Sequence, residues 1–231
     1  MKRILLTFLA VCVAVVSLGL VGCGGSKQEA GLSAKADSSP KKQETVGDLF
    51  AKGKNLPGMS CDFVMTAEEF NMTGKMWIAG KNMKSEMIMD NDKLITIFDA
   101  DANVVYTYNP AQNTATKVPL SDDLKTVPTP DRLADDVDVA KVKVLETTTY
   151  DGAKCKVLLI KDNTSKAETK LWVRDDYGIP VRVEAIDSDG GKTVMEYKNL
   201  KVGAQPAETF RLPAGVKVTD MAEVIKNLPK Q

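Results

Sequence analysis

Cys61-Asp62-Phe63-Val64-Met65-Thr66 is followed, after a short spacer, by Phe70-Asn71-Met72-Thr73-Gly74-Lys75-Met76-Trp77-Ile78. In the first stretch Cys61, Phe63 and Met65 alternate with Asp62, Val64 and Thr66. In the second, Phe70, Met72, Met76 and Ile78 share one parity, and Asn71, Thr73, Lys75 and Trp77 the other. Met83, Met87 and Met89 then alternate with Lys84, Glu86 and Ile88, and the apolar runs Leu94–Phe98 and Val104–Tyr108 follow. A period of two is the signature of a strand with two unlike faces. The spacers Ala79-Gly80-Lys81-Asn82, Asp90-Asn91-Asp92 and Asp99-Ala100-Asp101 hold turn residues. The pattern predicts an antiparallel meander.

Outward from this region the chain keeps the same grammar. Ser121–Val137 is a long connection, because Pro128 and Pro130 deny it a ladder; a helical turn is expected near Pro130. Strands resume at Val139–Thr149, Lys154–Lys161, Glu168–Arg174, Pro180–Asp187 and Lys192–Leu200, and Phe210–Val218 reads as a final strand. Two short helices are predicted. Thr45–Lys54 has Thr45 as N-cap and Asp48 in its first turn, and Asn55-Leu56-Pro57-Gly58 stops it. Asp220–Leu228 opens on an approximate capping box of Asp220 and Glu223.

The N-terminus carries a different message. Met1-Lys2-Arg3 is basic, Ile4–Leu20 is apolar, and Leu20-Val21-Gly22-Cys23 closes the run. Basic end, apolar core and small exit residues make a secretory signal peptide. Leu-Val-Gly-Cys resembles the lipobox of bacterial lipoproteins, which implies cleavage before Cys23 and diacylation, palmitate included, of its thiol. A transmembrane anchor is the alternative, but the run is short for a span. The expected organisation is a signal peptide over 1–22, an acylated Cys23 with a disordered tether over 23–44, and one domain over 45–231. The Gly/Ser-rich tether has a root-mean-square reach of about 25 Å.

Composition narrows the function. Lys plus Arg and Asp plus Glu number 31 each, with no basic block, so nucleic acid is not an expected partner. There is no His. That removes the commonest general base, the Ser-His and Cys-His dyads, and the commonest zinc ligand. Phosphate-binding loops and nucleophile elbows are absent too. Asp122-Asp123, Asp135-Asp136-Val137-Asp138 and Asp175-Asp176 lack the spacing of a calcium loop and read as solvated, turn-forming residues. A protein without catalysis, cofactor or metal is expected. Of the four cysteines, Cys12 leaves with the signal and Cys23 is acylated. Cys61 and Cys155 remain, and an even pair outside the cytoplasm reads as one disulfide; two buried free thiols are the other reading.

Larger motifs point to a family. Gly74-Lys75-Met76-Trp77 leads into Lys84-Ser85-Glu86, and Val105-Tyr106-Thr107-Tyr108-Asn109-Pro110 follows. Further on stand Leu171-Trp172-Val173, Gly178-Ile179-Pro180-Val181-Arg182, Glu196-Tyr197-Lys198-Asn199-Leu200 and Phe210-Arg211-Leu212-Pro213. Together they resemble the LolA/LolB-like superfamily of envelope lipoprotein carriers and their relatives, over roughly residues 45–220. The resemblance implies a mainly β (α+β) fold: a half-open antiparallel β-barrel with short helices on its concave side, where acyl chains or lipids bind. It implies a membrane-tethered carrier or binder of an acyl chain, lipid or lipoprotein. The alternative is an envelope-sensing module acting through a protein partner. A monomer is expected, anchored on the outer face of the plasma membrane or the periplasmic side of a Gram-negative membrane.

The methionines sharpen the reading. Seven of ten fall between Met59 and Met89, and Met is favoured where a surface adapts to differently shaped apolar partners. Ordinary core filling is the other account. The expected lining is Phe70, Met72, Met76, Ile78, Met83, Met87 and Met89, opposite Leu171 and Val173. Lys75, Lys84, Glu86, Lys170 and Arg174 are expected to face solvent. Trp77 and Trp172, on the polar parity, are expected to cap the barrel edges or cover the outer face, not to line the cavity.

Overall fold

Alternation over so many consecutive segments builds a single twelve-stranded sheet. In the computed structural model the described residues are 44–68, 70–89, 92–121, 129–135, 137–161 and 167–227. The expected signal peptide, the expected acylated Cys23 and the expected tether up to residue 43 lie outside them. The strands are β1 (Met59–Ala67), β2 (Phe70–Ala79), β3 (Asn82–Met89), β4 (Asp92–Asp99), β5 (Val104–Asn109) and β6 (Thr114–Pro119). They continue with β7 (Val142–Tyr150), β8 (Ala153–Lys161), β9 (Glu168–Arg174), β10 (Pro180–Ile186), β11 (Lys192–Val202) and β12 (Lys217–Asp220). Their order is β12-β6-β5-β4-β3-β2-β1-β11-β10-β9-β8-β7. Two meanders therefore run outward from the β1–β11 pair. The sheet curves without closing, which is the half-open barrel of the sequence reading.

The β1–β11 seam joins the first strand of the sheet to one of the last, and it carries a bulge between Ser60 and Asp62. Asn199 sits there at φ 53°. Its backbone N–H donates to Asp151 Oδ2 at 2.8 Å and its amide to Asp62 Oδ2 at 2.7 Å. The extra residue brings Leu200 into the same apolar cluster as Tyr197, as a bulge re-aims the side chains that follow it.

On the concave side lies α1 (Val46–Ala51). Thr45 and Asp48 form a reciprocal capping box: Thr45 Oγ1 accepts from the Asp48 N–H and Asp48 Oδ2 from the Thr45 N–H, both at 3.1 Å. The helix buries Leu49 and Phe50 against Leu158, Leu171 and Val173, worth about 1.5–3 kcal/mol for each side chain. Gly178, at φ 65°, lets the chain pass beneath it; a Cβ there would stand 2.0 Å from the Leu49 carbonyl oxygen. Glu44, assigned to the tether from sequence, is tied to the body by Lys52 at 2.6 Å and by Lys156.

Part of the convex face is also buried. Ile95, Ile97, Tyr108 and Ala115 pack under Phe210, with Trp77, Leu212 and Val216 beside them. Here the structure corrects the sequence reading. Phe210 ends a 3₁₀ turn (Ala207–Phe210), and the last strand is only Lys217–Asp220, parallel to β6. β6 itself is a strand that the alternation does not announce. The chain ends, among the described residues, in α2 (Met221–Lys226), where Asp220 Oδ1 accepts from the Ala222 N–H at 3.0 Å.

The Cys61–Cys155 disulfide is not formed: both are free, buried thiols. Three strands, β11, β10 and β9, separate theirs. At 4.7–4.9 Å per strand the separation along the sheet is about 19 Å, whereas bridged Cα atoms lie within about 7 Å. The registers also place Cys61 on the concave parity and Cys155 on the convex one.

Candidate functional site

The concave face of β1, β2, β3 and β11 is the candidate site. Register places Met59 opposite Ile78, Cys61 opposite Met76, Phe63 opposite Gly74 and Met65 opposite Met72. Gly74 then pairs with Met87, and Ile78 with Met83. Gly74 is where Phe63 lies down: a Cβ there would be 2.6 Å from the Phe63 ring.

The expected lining is partly assembled here. Ile78 and Met83 are buried with Met59 and Ile179. Met72, Met76 and Met87 are half-buried around Cys61, Phe63 and Tyr197, with Leu133 packed on the cluster. Leu171 and Val173 are buried under α1. Phe70 is 36% exposed, and the Met89 side chain lies outside the described residues. Sequence reasoning leaves out Met195 and Leu133, which complete the cluster. Met195 meets Met65 only through the β1–β11 register, and no local pattern encodes that.

The cover over these methionines is the turn 129–135. The Arg132 and Leu133 N–H groups both donate to the Thr129 carbonyl at 2.9 Å, and Arg132 Nη2 donates to the Gly80 carbonyl at 3.2 Å. Thr129 Oγ1 and Asp131 Oδ1 are buried without a hydrogen-bond partner among the described residues. Where this turn meets the end of β1 and β2, a cavity of about 330 Å³ opens. Its apolar wall is Leu56, Met59 and Ile78; its polar rim is Lys54, Lys81, Asp131, Arg132 and Asp135.

Burial keeps the two thiols in their neutral form. Burial, with Asp62 adding to it, pushes the Cys61 thiol up to about 12. Burial pushes Cys155 up to about 11. The Tyr197 phenol is likewise raised, by burial and then by Cys61 and Asp131. Among the described residues no group of three or more His, Cys, Asp or Glu is placed to hold a metal ion.

The opposite parity carries ions and aromatics, but few of its charges are simply solvated. Lys75 is exposed, 3.9 Å from Asp62. Lys84 lies over the Trp77 ring, and Glu86 accepts from Lys84 at 2.9 Å and Lys93 at 2.6 Å. Arg182 stacks on Trp172 and Tyr150, Lys170 covers Trp172, and Arg182 pairs with Glu184 and Glu196. Arg174 grips Asp176 at 2.6 Å and stacks on Tyr177. Asp175 pairs with Lys154 at 2.9 Å. Both tryptophans occupy the outer face.

The family model of a domain of unknown function, DUF4412, matches residues 60–179, and the chain belongs to that family. The match runs from β1 to the turn before β10. No curated protein matches the sequence. Among solved structures, an uncharacterized conserved protein from Thermus thermophilus is similar with a TM-score of 0.52 and 11% identity, over 76% of this chain and 96% of that one. The Pseudomonas aeruginosa MucA/MucB complex is similar with a TM-score of 0.47 and 15% identity, over 74% of this chain and 60% of that one. A LolA superfamily protein from Nitrosomonas europaea is similar with a TM-score of 0.33 and 12% identity, over 73% of this chain and 98% of that one. At 11% identity the likeness to the Thermus thermophilus protein is one of fold.

Proposed function

We propose that this protein is a non-catalytic, lipid-anchored binder of an acyl chain, lipid or lipoprotein, held in the bacterial cell envelope through Cys23. The observation that carries the reading is the half-buried cluster Met72, Met76, Met87 and Met195 beneath Leu133. Its cover contrasts with α1. The helix is capped and buries two large side chains, whereas the turn 129–135 leaves two buried oxygens unpartnered among the described residues. Each such oxygen costs about 1–3 kcal/mol. The turn is therefore the part of the concave surface that yields most readily to a chain, and methionines beneath it adapt to what enters.

Native mass spectrometry of the purified protein tests this, with a co-purifying species of lipid mass as the expected result. Met76→Gln and Met87→Gln should weaken binding of a fluorescent fatty acid by about tenfold, a loss of roughly 1.4 kcal/mol. If these variants lose only stability and the folded fraction binds unchanged, the cluster is packed core. The regulatory module acting through a protein partner is then the better account.

A further inference from the structure

Within that reading, one end of the methionine path is chemically distinctive. The cavity by Met59 and Ile78 has three cations and two carboxylates at its rim. Most are already engaged: Lys54 pairs with Asp135 at 3.8 Å, and Arg132 donates to the Gly80 carbonyl at 3.2 Å. Two groups of opposite sign remain. Asp131 Oδ1 is a buried acceptor with no partner among the described residues. Lys81 is exposed in the turn between β2 and β3, and its ammonium makes no ion pair or hydrogen bond among the described residues. A buried carboxylate oxygen is costly until a donor reaches it. A bare fatty acid would bring a third carboxylate to that oxygen. A bare alkylammonium would satisfy Asp131 but leave Lys81 repelling it. A head group bearing both signs answers both.

The apolar continuation starts in the same cavity. Met59 and Ile78 form its wall and cluster with Met76. Met76 also belongs to the cluster under Leu133. An unbroken apolar path therefore leads from the rim along β1 and β2 to Met72. The stretch of β1 from Met59 to Met65 alone is about 20 Å of strand.

We propose that this cavity is a head-group site selective for single-chain amphiphiles with a zwitterionic head, in which Asp131 accepts from the ammonium and Lys81 meets the anionic group. The selectivity rests on the acyl-binding reading above, so the test separates the two. The full-length protein is titrated with lysophosphatidylethanolamine, lysophosphatidylglycerol and palmitate, each competing against the same fluorescent fatty acid. The zwitterion should compete about tenfold better than lysophosphatidylglycerol, the range of one charge-assisted hydrogen bond. Asp131→Asn should abolish that preference and, by removing the carboxylate that opposes a bare fatty acid, leave palmitate binding equal or tighter. Lys81→Gln, on an exposed turn where folding is not at stake, should weaken the zwitterion severalfold and palmitate little. Equal competition by both lysolipids, or a preference that survives both substitutions, overturns the head-group site while palmitate binding keeps the acyl reading intact. Failure of all three amphiphiles to bind overturns both.

Discussion

The two faces of strands β2 to β4 are closed in different ways. On the concave side, Met72, Met76 and Met87 lie under one leucine carried by the turn 129–135. On the convex side, Ile95 and Ile97 lie under Phe210, flanked by Trp77, Leu212 and Val216. Lys84, Glu86 and Lys93 form an ionic network on the same parity. One cover is a turn that lays Leu133 over methionines. The other uses an aromatic anchor and a chain segment bounded by β12, which is hydrogen-bonded to β6. A sheet buried on both faces is stable. On the proposed function, the convex cover locks and the concave cover yields.

The largest expected break in this contrast is Phe210→Ala. It should cost about 3–5 kcal/mol in urea unfolding and leave ligand affinity of the folded fraction unchanged. A loss under about 1 kcal/mol would show that the convex cover is no lock. Gly74→Ala should cost about 2–3 kcal/mol, because the added methyl collides with the Phe63 ring and the Glu86 carbonyl. Leu133→Ala sharpens the comparison from the other side. It should cost under about 2 kcal/mol, since the side chain is only half-buried, and fatty-acid affinity should hold or rise. Weakened binding would mean that Leu133 belongs to the site and is not its cover.

Acid should loosen the outer networks with a smaller effect. For Glu86, burial opposes ionisation, but hydrogen bonds from Lys93 and Lys84 outweigh it and hold the carboxyl below its ordinary value. Burial likewise opposes ionisation of Glu184 and Glu196. Arg182 and Lys192 lower the first, and Tyr150, Lys198 and Arg182 the second. A lowered folded-state pKa means that the stabilisation is present above the unfolded value, about 4.3 for Glu, and is lost as pH falls through the folded one. The melting temperature should therefore be flat near neutrality and fall below about pH 4. The smallest effect is expected at Lys75→Ala. Its exposed pair with Asp62 should change stability by no more than about 0.5 kcal/mol.

Much of this molecule is legible in its order of residues. Period-two runs and their Asp-, Asn- and Gly-rich turns mark most of the strands, and Thr45 with Asp48 marks the capped helix. Those signals are local: alternation expresses a strand's two faces, and caps act within one turn. The misreading of Phe210–Val218 has a non-local cause. Leu94–Phe98 and Val104–Tyr108 are apolar on both parities, and a strand buried on both faces loses its alternation. The run does not say what covers the second face. The answer is Phe210, far downstream, in a segment that reads as a strand by its own residues.

The same limit applies to the site. Parity places Met72, Met76, Met83 and Met87 on one side of their strands, because side chains in a pleated strand must alternate. The meeting of Met72, Met76 and Met87 with Met195, the separation of Cys61 from Cys155, and the arrival of Asp131 beside Met59 depend on strand order and on the path of one long connection. Those are non-local choices, set by which surfaces bury each other when the two meanders join at β1 and β11. No neighbouring residue records them.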